Sequence, residues 1–208
     1  PDKLLTHQSV AIDAGCGNGK STAIRLAIAR LSVLVGFPVA MIAVACRQIH
    51  AMDLATRYEL VHYQDDPPLT ARRIATTIHS LGKFGTQLQS FGSKCILLLD
   101  EIRSTLSCFG GDFIKDDNSA LVLDRAMRTC RWVISVDADL QCDGLVPGCL
   151  GHFGGYALLI YTHVAVPRSI LVYTNEAQWL DEFKSLVAAG RALFVLVGAK
   201  ATSALLKA

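Results

Sequence analysis

Apolar and polar positions along the chain fall into blocks that predict strands and helices in turn. Short apolar runs predict buried strands at 8–14, 38–46, 73–78, 95–100, 131–137, 157–161, 170–174 and 192–198. Longer segments of helix-forming residues predict helices at 20–34, 47–60, 117–130, 175–188 and 199–207. Strands that alternate with helices in this way indicate an α/β fold, in which a parallel β-sheet is flanked by helices on both faces.

Three segments rich in polar residues, glycine or proline interrupt this pattern and predict loops at 63–72, 107–117 and 141–155. Residues 164–169 are expected to be a hinge between a first domain, 1–165, and the beginning of an incomplete second α/β domain, 166–208. About forty residues cannot close such a domain alone. Because the sequence starts at Pro1 rather than Met, we also expect it to be a piece of a longer protein.

The strand at 8–14 leads into a glycine-rich turn and then into the helix that starts at Lys20. This order builds a cradle for a nucleoside triphosphate, because glycines let backbone N–H groups converge on phosphate oxygens and the helix N-terminus adds its positive end. Lys20 is expected to reach the β- and γ-phosphates, and the Ser21 hydroxyl to hold Mg²⁺. The predicted nucleotide-binding residues are Gly15, Gly17, Asn18, Gly19, Lys20, Ser21 and Thr22.

The turn departs at one position from the usual phosphate-loop pattern, G-x-x-x-x-G-K-[ST]. Ala14 stands where that pattern has its first glycine, although Gly15 and Gly17 still give the backbone freedom to adopt positive φ. The alternative interpretation is a glycine-rich turn between a strand and a helix that binds no ligand.

A second apolar run, Cys-Ile-Leu-Leu-Leu from 95, ends in the acidic pair Asp100-Glu101. An unbroken apolar run is typical of a central parallel strand that is buried on both faces. Ligands of open α/β sheets bind beyond the carboxyl ends of the strands, so Asp100 is expected to hold Mg²⁺ and Glu101 to orient or deprotonate the attacking water. The alternative is a pair of solvated acids at a strand end.

The composition allows a large core and leaves any site to be found locally. Of the 208 residues, 51% are hydrophobic and 18% are charged, and the net charge of +2 gives no overall attraction to nucleic acid. The seven cysteines are odd in number and include no C-x-x-C pair, which favours a reducing compartment. The spacing of Cys142, Cys149, His152 and His163 fits no closed zinc site. The 208 residues contain no signal peptide and no apolar segment of membrane length, and no membrane partner is expected.

Further motifs follow the glycine-rich turn in a fixed order. They read Cys-Arg-Gln-Ile-His from 46, Arg-Tyr from 57, Thr-Thr-Ile-His-Ser-Leu from 76, Asp-Glu-Ile-Arg-Ser from 100 and Asp-Ala-Asp-Leu from 137. Over residues 8–140 the ordered set resembles the superfamily-two helicases, and more closely the herpesvirus-type replication origin-binding proteins. A weaker likeness extends over 166–208. The resemblance implies a RecA-like P-loop NTPase motor domain that uses ATP and Mg²⁺.

The resemblance also implies roles outside the nucleotide site. The residues implied to contact the nucleic-acid backbone, without reading sequence, are Arg47, His50, Thr77, His79 and Ser80. Asp137 and Asp139 are implied to couple the γ-phosphate site to domain movement. Simpler interpretations stay open: Arg47 and Arg57 as solvated helix charges, His79 as a loop histidine, and Asp137 as a cap for the turn after its strand.

The leading prediction is an ATP-dependent DNA helicase or translocase motor of a replication origin-binding-like protein. Water would attack the γ-phosphate in line, with Lys20 and Mg²⁺ neutralising the developing charge and Glu101 positioning the water. DNA, single- or double-stranded, is the expected partner, and other replication proteins or a second copy of the chain are left open. For a viral protein the expected location is the nucleus or cytoplasm of the host cell. Because the second domain is incomplete, this chain alone is expected to bind nucleotide with weak turnover or none.

Two other functions remain open at this stage. The first is a nucleic-acid-binding or assembly module with a vestigial phosphate loop, which the alanine at position 14 would suit. The second is a small-molecule kinase, whose lid would draw on Arg103, Arg125, Arg128 and Arg131. The acidic pair at 100–101 favours activation of water over a kinase reaction.

Overall fold

The computed structural model describes residues 7–15, 19–65, 70–110, 117–138, 140 and 144–161, together with the separate positions 181, 184, 185 and 188. The chain divides into two compact units, Pro1–Val164 and Ala165–Ala208. In the second unit the four described positions are helical, and they fall within the helix predicted at 175–188. The predicted strands 170–174 and 192–198 and the helix 199–207 lie outside the described residues. The interpretation of 166–208 as the start of a second RecA-like domain therefore stays a prediction.

Strands and helices follow one another along the described part of the first unit. The strands are β1 (Ser9–Ala14), β2 (Ala40–Ala45), β3 (Val61–His62), β4 (Arg73–Thr77), β5 (Cys95–Asp100), β6 (Trp132–Asp137) and β7 (Ala157–Tyr161). The α-helices are α1 (Lys20–Val35), α2 (Gln48–Tyr58), α3 (Gly85–Phe91), α4 (Ile102–Ser107), α5 (Asp117–Thr129) and α6 (Leu145–His152). Short 3₁₀ helices occupy Tyr63–Asp65, Ile78–Phe84, Gly92–Lys94 and Cys108–Gly110. Within the described residues, no helix combines the length and apolar character needed to cross a membrane.

All seven strands run parallel in one sheet, in the order β3-β4-β2-β5-β6-β1-β7. Parallel strands place their carboxyl ends at one edge, beyond which ligands of open α/β sheets bind. β6 lies between β1 and β5, so the turn after β1 and the end of β5 are two strand spacings apart, about 10 Å. The predicted α/β class, a parallel sheet flanked by helices, is confirmed.

In the central strands, successive residues are buried on opposite faces of the sheet. In β5, Leu97 and Leu99 pack in a core with α5, whereas Ile96 and Leu98 pack in a second core with α1 and α2. Both faces are therefore covered by helices, which explains why β2 and β5 appear in the sequence as unbroken apolar runs. This scaffold fixes the positions of the turns that follow the strands.

The loop predicted at 141–155 is wrong, because α6 occupies Leu145–His152. Pro147 lies in the first turn of this helix, where the backbone N–H groups have no intrahelical partner, so a proline does not break it. Val146 and Leu150 are buried and hold the helix against the core. Packing of these two side chains outweighs the low helix propensity of Gly148 and Gly151.

The sequence analysis also missed several short elements, namely β3, α3, α4 and the 3₁₀ helix Ile78–Phe84. The α-helices among them have six or seven residues, which is too few to establish a helical period. Leu81, Phe84 and Leu88 are nevertheless buried, so this region packs against the sheet as part of the core. The predicted loops 63–72 and 107–117 each contain a 3₁₀ helix in their described part.

Candidate functional site

The turn after β1 has the backbone conformation that its glycines predict. Gly19 has a φ of 72°, in the left-handed region, and precedes the first residue of α1 as its N-cap. No side chain caps this helix end, and its first turn contains no acidic residue. Within the described residues, no side chain caps the first backbone N–H groups of α1, as an anion site requires. Cys16, Gly17 and Asn18 lie outside the described residues.

Ala14, which departs from the phosphate-loop pattern, is the last residue of β1. It is buried and pairs with Tyr161 of β7. A strand residue is extended and has no need of glycine's conformational freedom. The departure from the pattern is therefore compatible with the turn that follows.

The Lys20 side chain lies over this turn. Its ammonium donates hydrogen bonds to the carbonyl oxygens of Ala14 and Gly15, the latter at 3.1 Å. Lys20 follows the carboxyl end of β1, and Asp100 ends β5. The predicted lysine and the predicted acid therefore lie at the same edge of the parallel sheet.

Arg57, near the end of α2, joins the two residues that were predicted to share Mg²⁺. Its Nη1 atom lies 2.8 Å from Ser21 Oγ and 3.9 Å from Asp100 Oδ2. Its Nη2 atom contacts the carboxylate of Asp53, one turn earlier in α2. Ser21 Oγ and Asp100 Oδ2 therefore both lie near the same guanidinium nitrogen. Thr22, the next residue of α1, is exposed.

Burial dominates the electrostatics of the Asp100 carboxyl and raises its pKa. The Arg57 guanidinium opposes this shift, Glu101 adds to it, and Lys20 and His50 oppose it. Burial also raises the pKa of the neighbouring Tyr58 hydroxyl, and a hydrogen bond with Ser21 lowers it. Asp100 is thus a half-buried carboxyl whose charge is partly balanced by Arg57 and Lys20, so a metal ion bound here would have to compete with these cations.

Glu101 has an unusual backbone conformation directly after β5. Its φ of 47° is in the left-handed region, and among the described non-glycine residues only Glu59 shares that property. Strain of this kind is concentrated at functional sites. The exposed carboxylate lies 3.3 Å from Nδ1 of His50, in the first turn of α2. His50, implied to contact nucleic acid, is therefore paired with the residue predicted to position water.

The side-chain carboxylate of Asp137, at the end of β6, accepts hydrogen bonds from backbone N–H groups. Its Oδ1 accepts a hydrogen bond from the N–H of Ala138 at 2.7 Å, and its Oδ2 accepts one from the N–H of Arg103 at 3.0 Å. The capping interpretation of Asp137 describes these contacts. Because Arg103 lies in α4, Asp137 also ties the end of β6 to the segment that follows the acidic pair. Asp139 lies outside the described residues.

The remaining residues implied to contact nucleic acid follow β2 and β4, which are neighbours in the sheet. Arg47 and His79 are exposed, and Ser80 is half-buried. Thr77 is only 5% exposed, so its side chain is closed off from a ligand in this conformation. The fold thus brings Arg47, His79 and Ser80 to the same sheet edge as Asp100.

The arginines that a kinase lid would need are divided between the two edges of the sheet. Arg103 follows β5 at the carboxyl edge. Arg128 lies in the last turn of α5, before the amino end of β6, where it pairs with Asp124, and Arg131 stacks over Trp132. Arg103, Arg128 and Arg131 therefore do not converge on one site, and they give no support to a kinase lid.

Sequence reasoning did not assign Arg57, Tyr58 or Cys46 to the site. Arg57 and Tyr58 appear only as the end of a helical motif, and their contacts with Ser21 depend on how α2 packs beside α1. Cys46 Sγ lies 3.9 Å from His50 Nδ1. Helical spacing does not predict this pair, because Cys46 precedes the extended N-cap residue Arg47 and lies outside α2.

Comparison with solved structures finds a similarity to the UvsW helicase from bacteriophage T4, at 13% sequence identity and a TM-score of 0.49. The match covers 77% of this chain and 57% of that one. No family model matches the chain, and no curated protein does. The resemblance to the herpesvirus-type replication origin-binding proteins stays a prediction.

Proposed function

We propose that this chain is the nucleotide-binding motor domain of a DNA helicase or translocase, which hydrolyses ATP in response to nucleic acid. One observation carries the proposal: a single cationic group, Nη1 of Arg57, contacts both Ser21 and Asp100. The hydroxyl after the predicted phosphate-loop lysine and the acid that ends β5 are the pair that a nucleotide-bound Mg²⁺ needs. They are distant in sequence, so their meeting is not a consequence of local structure.

The site also fits Mg²⁺ in its chemistry, since a hydroxyl and a carboxylate are hard oxygen ligands. Ser21 and Asp100 would hold the ion, which would neutralise charge on the phosphates. Lys20 would leave the carbonyl oxygens of the turn and pair with the β- and γ-phosphates. The N–H groups at the start of α1 would bind phosphate oxygens. Glu101, whose side chain is exposed and whose backbone is in the left-handed region, would orient the attacking water.

Nucleic acid would lie along the carboxyl ends of β2 and β4. The exposed Arg47 and His79 and the half-buried Ser80 support this placement, because cationic and hydroxyl side chains bind phosphate without reading sequence. His50 and Glu101 would connect this surface to the hydrolytic site through their 3.3 Å contact. DNA rather than RNA, and a role at replication origins, are proposed on the resemblance of the motifs alone.

A second candidate is a nucleic-acid-binding module whose phosphate loop no longer takes nucleotide. The hydrogen bonds from Lys20 to the carbonyls of Ala14 and Gly15 favour it, because they occupy the ammonium that would otherwise bind phosphate. Interactions of this kind could occupy a phosphate loop that no longer binds nucleotide. Nucleotide binding separates the two candidates.

The test is titration of the chain with a fluorescent ATP analogue in the presence of Mg²⁺. The parent is expected to bind, and Lys20→Ala to bind at least about tenfold more weakly, because a charge-assisted phosphate contact of about 1.5–3 kcal/mol is lost. Lys94→Ala is the matched control, since Lys94 precedes β5 at the opposite edge of the sheet and stacks over Phe37. Equal affinity of the parent and Lys20→Ala would reject the phosphate cradle.

A further inference from the structure

Three side chains with metal-ligand atoms converge beside the nucleotide site without belonging to its magnesium pair. Cys46 Sγ, an imidazole nitrogen of His50 and a carboxylate oxygen of Glu101 all lie within 4.8 Å of one another. Nδ1 of His50 is 3.9 Å from the sulfur and 3.3 Å from Glu101 Oε2, so one ring nitrogen faces both partners. Neither Cys46 nor His50 is among the residues proposed to bind ATP or Mg²⁺.

The backbone creates this convergence from two adjacent strands. Val44 of β2 pairs with Leu99 of β5, and the same register continued by two residues sets Cys46 beside Glu101. Cys46 precedes the extended N-cap residue Arg47, and His50 lies in the first turn of α2, where its Nδ1 is 3.9 Å from Cys46 Sγ. The left-handed φ of Glu101 turns the chain at this point. Three independent features of the fold thus place the ligand atoms together.

We propose that Cys46, His50 and Glu101 form a binding site for a thiophilic divalent cation, Zn²⁺ above all, with water as the remaining ligand. One thiolate and one carboxylate balance the two positive charges, and the imidazole binds as a neutral ligand. Ligand atoms around tetrahedral zinc lie roughly 3.3–3.8 Å apart, given the usual metal–ligand distances, so the observed spacings need only small side-chain adjustments. Sulfur and imidazole discriminate against Mg²⁺, so this site differs in chemistry from the Ser21–Asp100 pair.

Exposure and charge at the site suit an exchangeable ion. The side chains of His50 and Glu101 are 36% and 49% exposed, so an ion can enter from solvent. Burial raises the pKa of the Cys46 thiol, Glu101 and Cys108 raise it further, and Arg47 lowers it. A bound cation would offset the unfavourable interaction of a Cys46 thiolate with the Glu101 carboxylate.

Occupation of the site would have one consequence that rests on the proposed function. Glu101 is the carboxylate proposed to orient the attacking water, and it cannot do so while it ligates zinc. Zinc would therefore inhibit hydrolysis in an otherwise active motor. Binding of the ion itself does not depend on whether the chain hydrolyses ATP.

The test uses Co²⁺ as a spectroscopic substitute for Zn²⁺ on the full, untagged, reduced chain after removal of metals. The parent should bind one equivalent of Co²⁺ with a thiolate-to-cobalt charge-transfer absorption in the near ultraviolet, and Zn²⁺ should displace it. Cys46→Ser should abolish the absorption. His50→Ala should weaken Co²⁺ binding by about tenfold or more, as loss of even an outer-shell partner often does.

Cys149→Ser is the matched control, because Cys149 is a half-buried thiol that lines an apolar pocket with Leu123 and Phe153 and does not belong to the Cys46–His50–Glu101 cluster. It should bind Co²⁺ like the parent. Absence of the absorption in the parent, its survival in Cys46→Ser, or equal loss in Cys149→Ser would overturn the proposal. Circular dichroism checks that each variant is folded, and His50→Ala, at a partly exposed side chain, provides a second test if Cys46→Ser is not. If the chain binds Co²⁺ here but binds no ATP, the cation site is supported and the proposed function is rejected.

Discussion

Replacement of Arg57 by glutamine should make Mg²⁺ bind more tightly in the presence of nucleotide. Nη1 of Arg57 lies 2.8 Å from Ser21 Oγ and 3.9 Å from Asp100 Oδ2, so the guanidinium competes with the metal for both oxygens. Glutamine is shorter and neutral, and it removes the competing charge without introducing a new one. The variant also removes the pair of Arg57 with Asp53 in α2, and the control below accounts for that loss.

The size of the effect follows from these two contacts. Two unit charges at this separation attract by about 4 kcal/mol at an effective dielectric constant of about 20. The Arg57 side chain is 36% exposed and that of Asp100 is 24% exposed. Solvent screening therefore reduces the pair to about 1 kcal/mol. The hydrogen bond to Ser21 adds roughly 1 kcal/mol. The metal does not have to overcome all of this energy, because a displaced Arg57 keeps its pair with Asp53. A net relief of about 1.4 kcal/mol corresponds to tenfold tighter Mg²⁺ binding.

The assay is a Mg²⁺ titration with a saturating fluorescent ATP analogue, at constant ionic strength and mildly alkaline pH, so that Asp100 is ionised. Arg128→Gln is the control, because Arg128 forms the same i,i+4 pair with Asp124 on a different helix. Weaker Mg²⁺ binding by Arg57→Gln, or an equal gain in Arg128→Gln, would refute the competition. The first of these results would instead assign Arg57 to the nucleotide complex.

Three further predictions concern stability. Asp100→Asn should raise the melting temperature at neutral pH in EDTA: burial holds the pKa of Asp100 above its unfolded value, so stability falls as pH rises through the folded pKa. The gain in melting temperature should vanish at a pH below the pKa of Asp100 in the unfolded chain. A variant with no gain at neutral pH would contradict the prediction. Leu98→Ala should lower the free energy of urea unfolding by about 2–5 kcal/mol, because Leu98 is fully buried, whereas Leu121→Ala, at a 66% exposed position, should change it by less than about 0.5 kcal/mol. Asp137→Ala should cost about 1–3 kcal/mol in the same assay, because the N–H of Arg103 loses its acceptor. Asp137→Asn should cost less, and equal losses would rule out the acceptor role.

The parts of the fold that the sequence predicts best are those buried on both faces. The strand at 95–100 was predicted with the bounds that β5 has, because a strand between two helical layers must be apolar at every position. The start of α1 was predicted at Lys20 because the glycine turn before it is a strong local signal. In contrast, α6 contains Pro147 and two glycines, and its helical state depends on Val146 and Leu150 in the core.

The same distinction applies to the candidate site. That Lys20, Ser21 and Asp100 lie at one edge follows from parallel strands, which put every carboxyl end on the same side. The position of Arg57 between Ser21 and Asp100 could not be predicted, because it depends on the packing of α2 beside α1. The pairing of His50 with Glu101 likewise depends on the adjacency of β2 and β5, which the sequence does not encode locally.

The most direct measurement is a crystal structure of the chain with Mg²⁺ and a non-hydrolysable ATP analogue. The account predicts the triphosphate against the turn at 15–19 and the N-terminus of α1, with the metal on Ser21 Oγ and Arg57 displaced from that atom. A nucleotide bound elsewhere, or one bound here while Arg57 still holds Ser21 and no metal reaches it, would contradict the account.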